Sequence, residues 1–363
     1  MPMFPSSELK DIHDKHLHVL KTLGSVEEKL NARFYGMEAH TRALALAALS
    51  GEPLLLIGPP GTAKSLLIRE FCRVLDLVDE DGRSKRVPGA AGGPTHGYFE
   101  YLLTRFTEPS ELFGFYDISS LRTSQPRRHD DGMMQHAKVV YLDEVFNASS
   151  AILNALLAFM NERLFHDHGE RHEVALEMLF GATNEVPRSG ELSAFFDRFL
   201  IRSWVENVPE DVQALGEMIA RGWTETYSDE GLGGNGKGKD KAAKNYSRLL
   251  DGLRLLREDI ASRTAAQQLA PDGADEFLYG LQDAIYQARR IDASRMSNRR
   301  IVKLIDVMLL YRLYRQANGK GDDKKTFEFG KPEIDLIEQH LLDRKLQPNE
   351  SALRRSFESM RTR

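Results

Sequence analysis

Residues 54–75 constrain this chain more than any other stretch. Leu54-Leu55-Leu56-Ile57 is a short, unbroken apolar run, the pattern of a strand buried on both faces of a parallel sheet. Gly58-Pro59-Pro60-Gly61-Thr62-Ala63-Lys64-Ser65 follows at once, and Ser65 to Leu75 has helical patterning. Strand, glycine-containing loop, Lys-Ser and helix in that order form a phosphate-binding loop. The loop turns backbone N–H groups toward an anion, and the helix adds its positive dipole end. Lys64 suits the β- and γ-phosphates as a point charge, and the Ser65 hydroxyl suits Mg²⁺. The strict pattern has Gly before the Lys. Here it is Ala63, which has less backbone freedom but is small enough to leave phosphate approach open.

The surroundings extend this into an α/β domain. Further strands are predicted at Tyr98–Leu103, Val139–Leu142, Glu177–Ala182 and Leu200–Val205, separated by helical patterns such as Ala151–Leu164. That alternation predicts a mainly parallel, five-stranded sheet. Ahead of it, Ser6 to Leu23 reads as a half-buried helix closed by Gly24; His13 and His16, one turn apart, could hold a metal but are expected as solvated imidazoles. After about Pro209 only helices are predicted, at 209–226, 245–264, 271–291, 297–317 and 332–343. The expected division is an N-terminal helix (1–24), an α/β nucleotide-binding domain (25–208) and a helical lid with C-terminal helices (209–363). Glycines among charges mark 228–244 as a mobile loop.

Val139-Val140-Tyr141-Leu142 ends in Asp143-Glu144. Beside a phosphate loop, Asp143 suits an outer Mg²⁺ ligand, and Glu144 suits polarisation of a water for attack on the γ-phosphate. Asn184, at the end of Leu179–Thr183, suits holding that water together with Glu144. Arg198 before the last strand and Arg299-Arg300 at the start of the 297–317 helix have two uses, bidentate phosphate contact and surface ion pairing.

Composition narrows the class. With 41% hydrophobic residues the chain can bury sizeable cores, and its net charge of −5 provides no basic coat for nucleic acid. A single cysteine, Cys72, excludes an internal disulfide framework and reads as a buried, inert thiol. No run is long and apolar enough for a membrane span, so a cytoplasmic location is the expectation.

These motifs, taken in order, resemble the AAA+ ATPases, specifically the MoxR family and its RavA-like branch. The resemblance covers about residues 24–345 and rests on several further segments. Among them are Ala47–Glu52, Phe99–Phe106, Glu111-Leu112-Phe113-Gly114, Ile152–Leu157, Asn161-Glu162-Arg163, Asn184-Glu185, Asp197-Arg198-Phe199 and Ser297–Arg300. It implies an AAA+ core with a helical lid, ATP and Mg²⁺ as cofactors, and ATP hydrolysis. By residue, it implies nucleotide contacts from Gly58, Pro59, Pro60, Gly61, Thr62, Ala63, Lys64, Ser65 and Leu66, and adenine contact at Tyr35-Gly36. Ser65 and Asp143 would serve the metal, Asp143-Glu144 would be Walker B and Asn184 sensor 1. Arg198 would be an arginine finger for a neighbouring subunit, and Arg299 sensor 2, with Arg300 competing. Family members form hexameric rings, and many work with proteins carrying a von Willebrand factor A-type domain as chaperone-like remodelling or cofactor-insertion machines. Two hairpin inserts are expected, at Phe115–Lys138 and Asn161–Met178. A nucleic-acid motor is the second reading, because AAA+ helicase subunits share the hairpin inserts; the net charge opposes it, and Arg122, Arg127 and Arg128 in the first insert favour it. A nucleotide-gated scaffold with negligible turnover is the third.

Overall fold

The computed structural model describes residues 3–88, 95–117, 127–167, 170–186, 190–207, 215–220, 246, 248–273, 275–290, 296–319, 327–344 and 355–359. Expectations placed on Arg122 and the 228–244 loop lie outside these residues. In chain order the fold begins with helices α1 (Ser6–Arg33) and α2 (Glu38–Ser50), strand β1 (Leu54–Ile57), helix α3 (Lys64–Val74), and strands β2 (Arg86–Val87) and β3 (Thr95–Leu102). Helix α4 (Pro109–Phe113) leads to the small strands β4 (Phe115–Tyr116) and β5 (Arg128–His129), followed by β6 (Ala137–Asp143) and helix α5 (Ser150–Glu162). Next come β7 (Leu164–Asp167), β8 (Glu170–Glu173), β9 (Met178–Thr183), helix α6 (Gly190–Phe196) and β10 (Ile201–Trp204). The remainder is helical: α7 (Leu249–Ala265), α8 (Glu276–Arg290), α9 (Asn298–Asn318) and α10 (Lys331–His340).

The main sheet has the order β10-β1-β9-β6-β3-β2. Its first five members are parallel, as predicted, and each candidate strand lies within two or three residues of its expected limits. The sixth, β2, pairs antiparallel with β3 and was not foreseen; two residues carry no readable periodicity. Side chains alternate between two cores with period two. Leu54, Leu56, Val139, Tyr141 and Phe180 point toward α1–α3 and the C-terminal helices. Leu55, Ile57, Val140, Leu142 and Leu179 point toward α5 and α6. The phosphate loop expected after β1 thus hangs from a strand locked on both faces.

Two features of the first helix depart from expectation. It runs to Arg33, with Gly24 inside it rather than closing it. The reason is close packing: a Cβ at Gly24 would overlap the Asn318 side chain, whose Nδ2 donates to Leu20 O (3.0 Å) at the end of α9. His16 is buried, not solvated, and its Nε2 lies 3.0 Å from Asp259 Oδ2 on α7. Both contacts belong to one arrangement, in which α7 and α9 pack on α1 and α2, and α10 packs on β10. The apolar core is continuous from the first helix to the last.

A buried polar knot ties α10 to the sheet edge. Arg202 on β10 is fully buried, pairs with Asp343, donates to Phe196 O (2.9 Å) and stacks on the Phe196 ring. His340 faces the Arg202 carbonyl through Nδ1 (3.2 Å), and burial lowers its pKa to about 4. The folded chain therefore holds His340 neutral at pH values where the unfolded chain, near 6.5, is already protonated. Stability is full above about pH 6.5 and falls as pH drops toward 4, by about 3 kcal/mol from this group alone. Denaturant melts of the wild type and His340→Gln across that window should diverge in slope; parallel curves would remove His340 as the cause.

Candidate functional site

The carboxyl ends of β1, β6 and β9 bring one group of predicted residues together. Gly58 N donates to Thr183 O (3.1 Å), which ties the loop to the neighbouring strand, and a Cβ there would overlap the Val205 carbonyl. Gly61 has φ +82°. Ala63, standing where the strict pattern has Gly, has φ +58° and ψ +21° as the N-cap of α3. The loop therefore retains the left-handed bend that the pattern requires, at the cost of some local strain. Among the described residues, no backbone acceptor takes the amides of Gly61 to Ser65. They are the orphan donors of a helix start, available to an anion. Pro59 and Pro60 stiffen the loop without adding donors, and Thr62 Oγ1 closes it on Pro59 O (2.8 Å).

Lys64 folds back over this loop. Its Nζ donates to Gly58 O (2.5 Å), Pro59 O (2.9 Å) and Asn184 Oδ1 (3.4 Å). Burial pulls its pKa below the ordinary lysine value, opposed by the charges of Asp143 and Glu144. Ser65 Oγ lies 3.3 Å from Asp143 Oδ2 and 3.0 Å from the hydroxyl of Tyr141. Sequence reasoning counted Tyr141 only as a strand residue. Its signal was its spacing: two before Asp143, hence on the same face of β6. Glu144 sits at φ +50°, and Asn184 Nδ2 donates to its Oε1. Burial first, then the Asp143 charge, raises the Glu144 pKa above the usual carboxylate range. Asn184 thus bridges Lys64 and Glu144. Ser65 Oγ and the Asp143 carboxylate are adjacent hard oxygen donors, which fits Mg²⁺. Tyr35-Gly36 occupies the turn between α1 and α2, with Gly36 at φ +69°, and Leu66 is exposed on the first turn of α3.

Arg198 and Arg299 are elsewhere. Both line a cavity of about 400 Å³ at the opposite, amino end of the sheet, beside Pro53 and Lys138. Arg299 donates to Asn161 Oδ1 (2.7 Å). Arg300 is separated from it: buried, it meets Asp343 Oδ1 (2.6 Å) and Leu341 O (3.0 Å), within the Arg202 knot.

The stretches expected as inserts contain the antiparallel pairs β4–β5 and β7–β8, which are clamped to each other. Arg128 pairs with Asp167 (2.9 Å), stacks on Tyr116 and donates to Gly114 O (2.7 Å), while the Tyr116 hydroxyl also donates to Asp167. Arg128 is therefore an internal strut. Cys72 is buried, and burial holds its thiol well above the ordinary pKa.

A five-stranded parallel core carrying a phosphate loop, an Asp-Glu strand end and an Asn on the adjacent strand defines an AAA+ type of P-loop domain. The chain belongs to the MoxR family: residues 21–81 and 82–232, more than half its length, match the MoxR domain of the MoxR–vWA–β-propeller ternary systems. Two uncharacterized proteins of Methanocaldococcus jannaschii are 36% and 37% identical over 191 and 198 residues, 52% and 54% of this chain. A structural protein of Acidianus two-tailed virus is 27% identical over 201 residues, 54% of this chain. The matches cover 45%, 48% and 30% of those relatives' own lengths. The crystal structure of a candidate ATPase from Cytophaga hutchinsonii shares the fold, with a TM-score of 0.58 over 97% of both chains at 14% identity. Among the described residues no helix is long and apolar enough to cross a membrane.

Proposed function

We propose that the chain is an ATP-hydrolysing MoxR machine that remodels or matures a protein partner as a ring-shaped homo-oligomer, a hexamer by family resemblance. The observation that carries this reading is the linked set Lys64–Asn184–Glu144 beside Ser65–Asp143, above a loop of orphan amides. In it the amides of Gly61–Ser65 and the Lys64 ammonium hold the nucleotide phosphates, Tyr35-Gly36 and Leu66 flank the base, and Ser65 and Asp143 hold Mg²⁺. The metal supplies charge neutralisation across the phosphate oxygens when bound. Glu144 accepts the proton of the attacking water, and Asn184 orients the Glu144 carboxylate. Arg198 and Arg299 serve the neighbouring protomer's site. The division into an N-terminal helix, an α/β domain and a helical lid with C-terminal helices belongs to the same proposal, as does kinship with RavA-like chains and a cytoplasmic setting.

The family description, which places such domains with vWA and β-propeller proteins, supports a vWA-type partner. The Arg128 strut supports a protein client over nucleic acid, because that guanidinium is spent inside the clamp.

Calorimetric titration tests the pocket. MgATP should bind the wild type, and Lys64→Ala should weaken binding about 10–100-fold, the worth of one charge-assisted contact. Phosphate release should accompany binding. No heat from folded wild type, or identical isotherms for both chains, would overturn the proposal.

A further inference from the structure

The cavity at the amino end of the sheet is unevenly charged. Its three carboxylates are already engaged: Glu52 by Lys303, Glu177 by Arg257 (2.7 Å), and Asp251 by Lys138 (3.5 Å). Among the described residues, three lining arginines form no ion pair with a carboxylate: Arg163, Arg198 and Arg299. Among the described residues, Arg299 donates to the Asn161 amide oxygen and Arg163 to the Gly51 carbonyl (2.7 Å). Arg163 Nη1 and Arg198 Nε are buried with no hydrogen-bond partner among the described residues. Buried cationic donors without partners are costly unless an anion meets them.

Arg163 is distinguished from the other two by its backbone. It closes α5 at φ +55°, a conformation a non-glycine residue adopts only when its surroundings hold it there. The next residue begins β7. On the returning side, Val174 N donates to Arg163 O (3.1 Å), and Val174–Glu177 form part of the cavity wall. Both stems of the β7–β8 hairpin are thus the cavity's own lining. The hairpin is in turn clamped to β4–β5 through Asp167.

We propose that this cavity takes a phosphate-class anion and that Arg163 is the positioning residue converting its presence into a movement of the paired hairpins. The role of Arg163 deepens the reading of Arg198 and Arg299 as phosphate contacts and rests on it. An anion drawn to Arg198 and Arg299 gives Arg163 Nη1 its missing acceptor. The Arg163 side chain then turns the residue from which β7 springs.

The probe is tripolyphosphate, added to the full chain carrying Lys64→Ala so that binding at the nucleotide loop is weakened. Calorimetry reads binding, and amide hydrogen exchange reads β7 and β8. Binding should be salt-sensitive and lost with Arg198→Ala, and exchange in β7 and β8 should change at least about fivefold, the lower end of ordinary site-to-site coupling. With Arg163→Gln added, most of the binding should persist while the hairpin response disappears. Arg163→Lys, which keeps the charge but loses the fork, should behave the same way and serves if the glutamine variant does not fold. A hairpin response that survives both substitutions, or is absent in the parent, overturns the coupling. No binding, or binding indifferent to Arg198→Ala, overturns the anion site and leaves the Lys64 pocket untouched. A MgATP arm with Glu144→Gln separates the anion's sources. A response that grows with protein concentration assigns the phosphate to a neighbouring protomer; a concentration-independent response to tripolyphosphate assigns it to free anion.

Discussion

Arg198→Ala and Glu144→Gln, each inactive alone, should recover ATP turnover when mixed. The expectation follows from where the sheet puts Arg198. It precedes β10 at the amino edge, whereas Lys64, Asp143 and Glu144 lie past the carboxyl ends of β1 and β6. A six-residue strand such as β9 separates the two edges by roughly 20 Å. No side chain crosses that distance, so an Arg198 that stabilises a transferring phosphoryl group must do so on another protomer's nucleotide. An arginine of that kind is worth about 10³–10⁵ in rate, or about 4–7 kcal/mol. Arg198→Ala alone should therefore lose nearly all turnover while retaining MgATP binding. In a mixed head-to-tail assembly, an Arg198→Ala protomer retains Glu144 and can borrow Arg198 from a Glu144→Gln neighbour. A one-to-one mixture should recover up to about a quarter of the wild-type rate, since about a quarter of the random interfaces carry both intact parts. Recovery that vanishes on dilution ties it to assembly. If the mixture stays as inactive as its components, Arg198 does not act across an interface.

The half of the site at the carboxyl edge was legible because its signals are local. Leu54–Ile57, the glycines, Lys64-Ser65 and the apolar run ending in Asp143-Glu144 each carry their meaning within a few residues, and parallel pairing then aligns the strand ends. Tyr141 escaped because a tyrosine inside an apolar strand looks like packing until Ser65 is placed beside it. The extension of α1 past Gly24 escaped for a different reason. Glycine usually ends a helix, and only the approach of Asn318, nearly 300 residues away, makes it the residue that fits inside one. The amino-edge cavity was not legible at all. Its lining comes from the ends of α2, α5, α7 and α9 and the segment after β8, and the arrangement that leaves Arg163 short of an ion pair among the described residues exists only once Glu52, Glu177 and Asp251 have found their partners. Arg299 and Arg300 show the same limit. They are adjacent in sequence, yet one reaches the cavity and the other is buried in the Arg202 knot.

Glu144→Gln should leave MgATP affinity within about twofold and lower turnover by about 10²–10⁴, the usual worth of a positioned general base. The geometry makes this a clean substitution. Asn184 Nδ2 donates to a Glu144 carboxylate oxygen, and a glutamine amide oxygen accepts the same bond. The left-handed backbone at Glu144 is unaffected by exchanging oxygen for NH₂, and Lys64 keeps its contacts to Gly58, Pro59 and Asn184. Only proton acceptance is lost. The same base predicts a pH profile. Because burial and the Asp143 charge raise its pKa, the Glu144 carboxylate is protonated at a pH where an ordinary glutamate is still ionised. Turnover should fall as pH drops through that raised value, while binding through the loop amides persists. An acid limb no higher than the ordinary glutamate range would mean that some other group takes the proton. A Glu144→Gln chain that still turns over ATP at the wild-type rate would mean the same, and either result would leave the Lys64 loop as a binding site without its base.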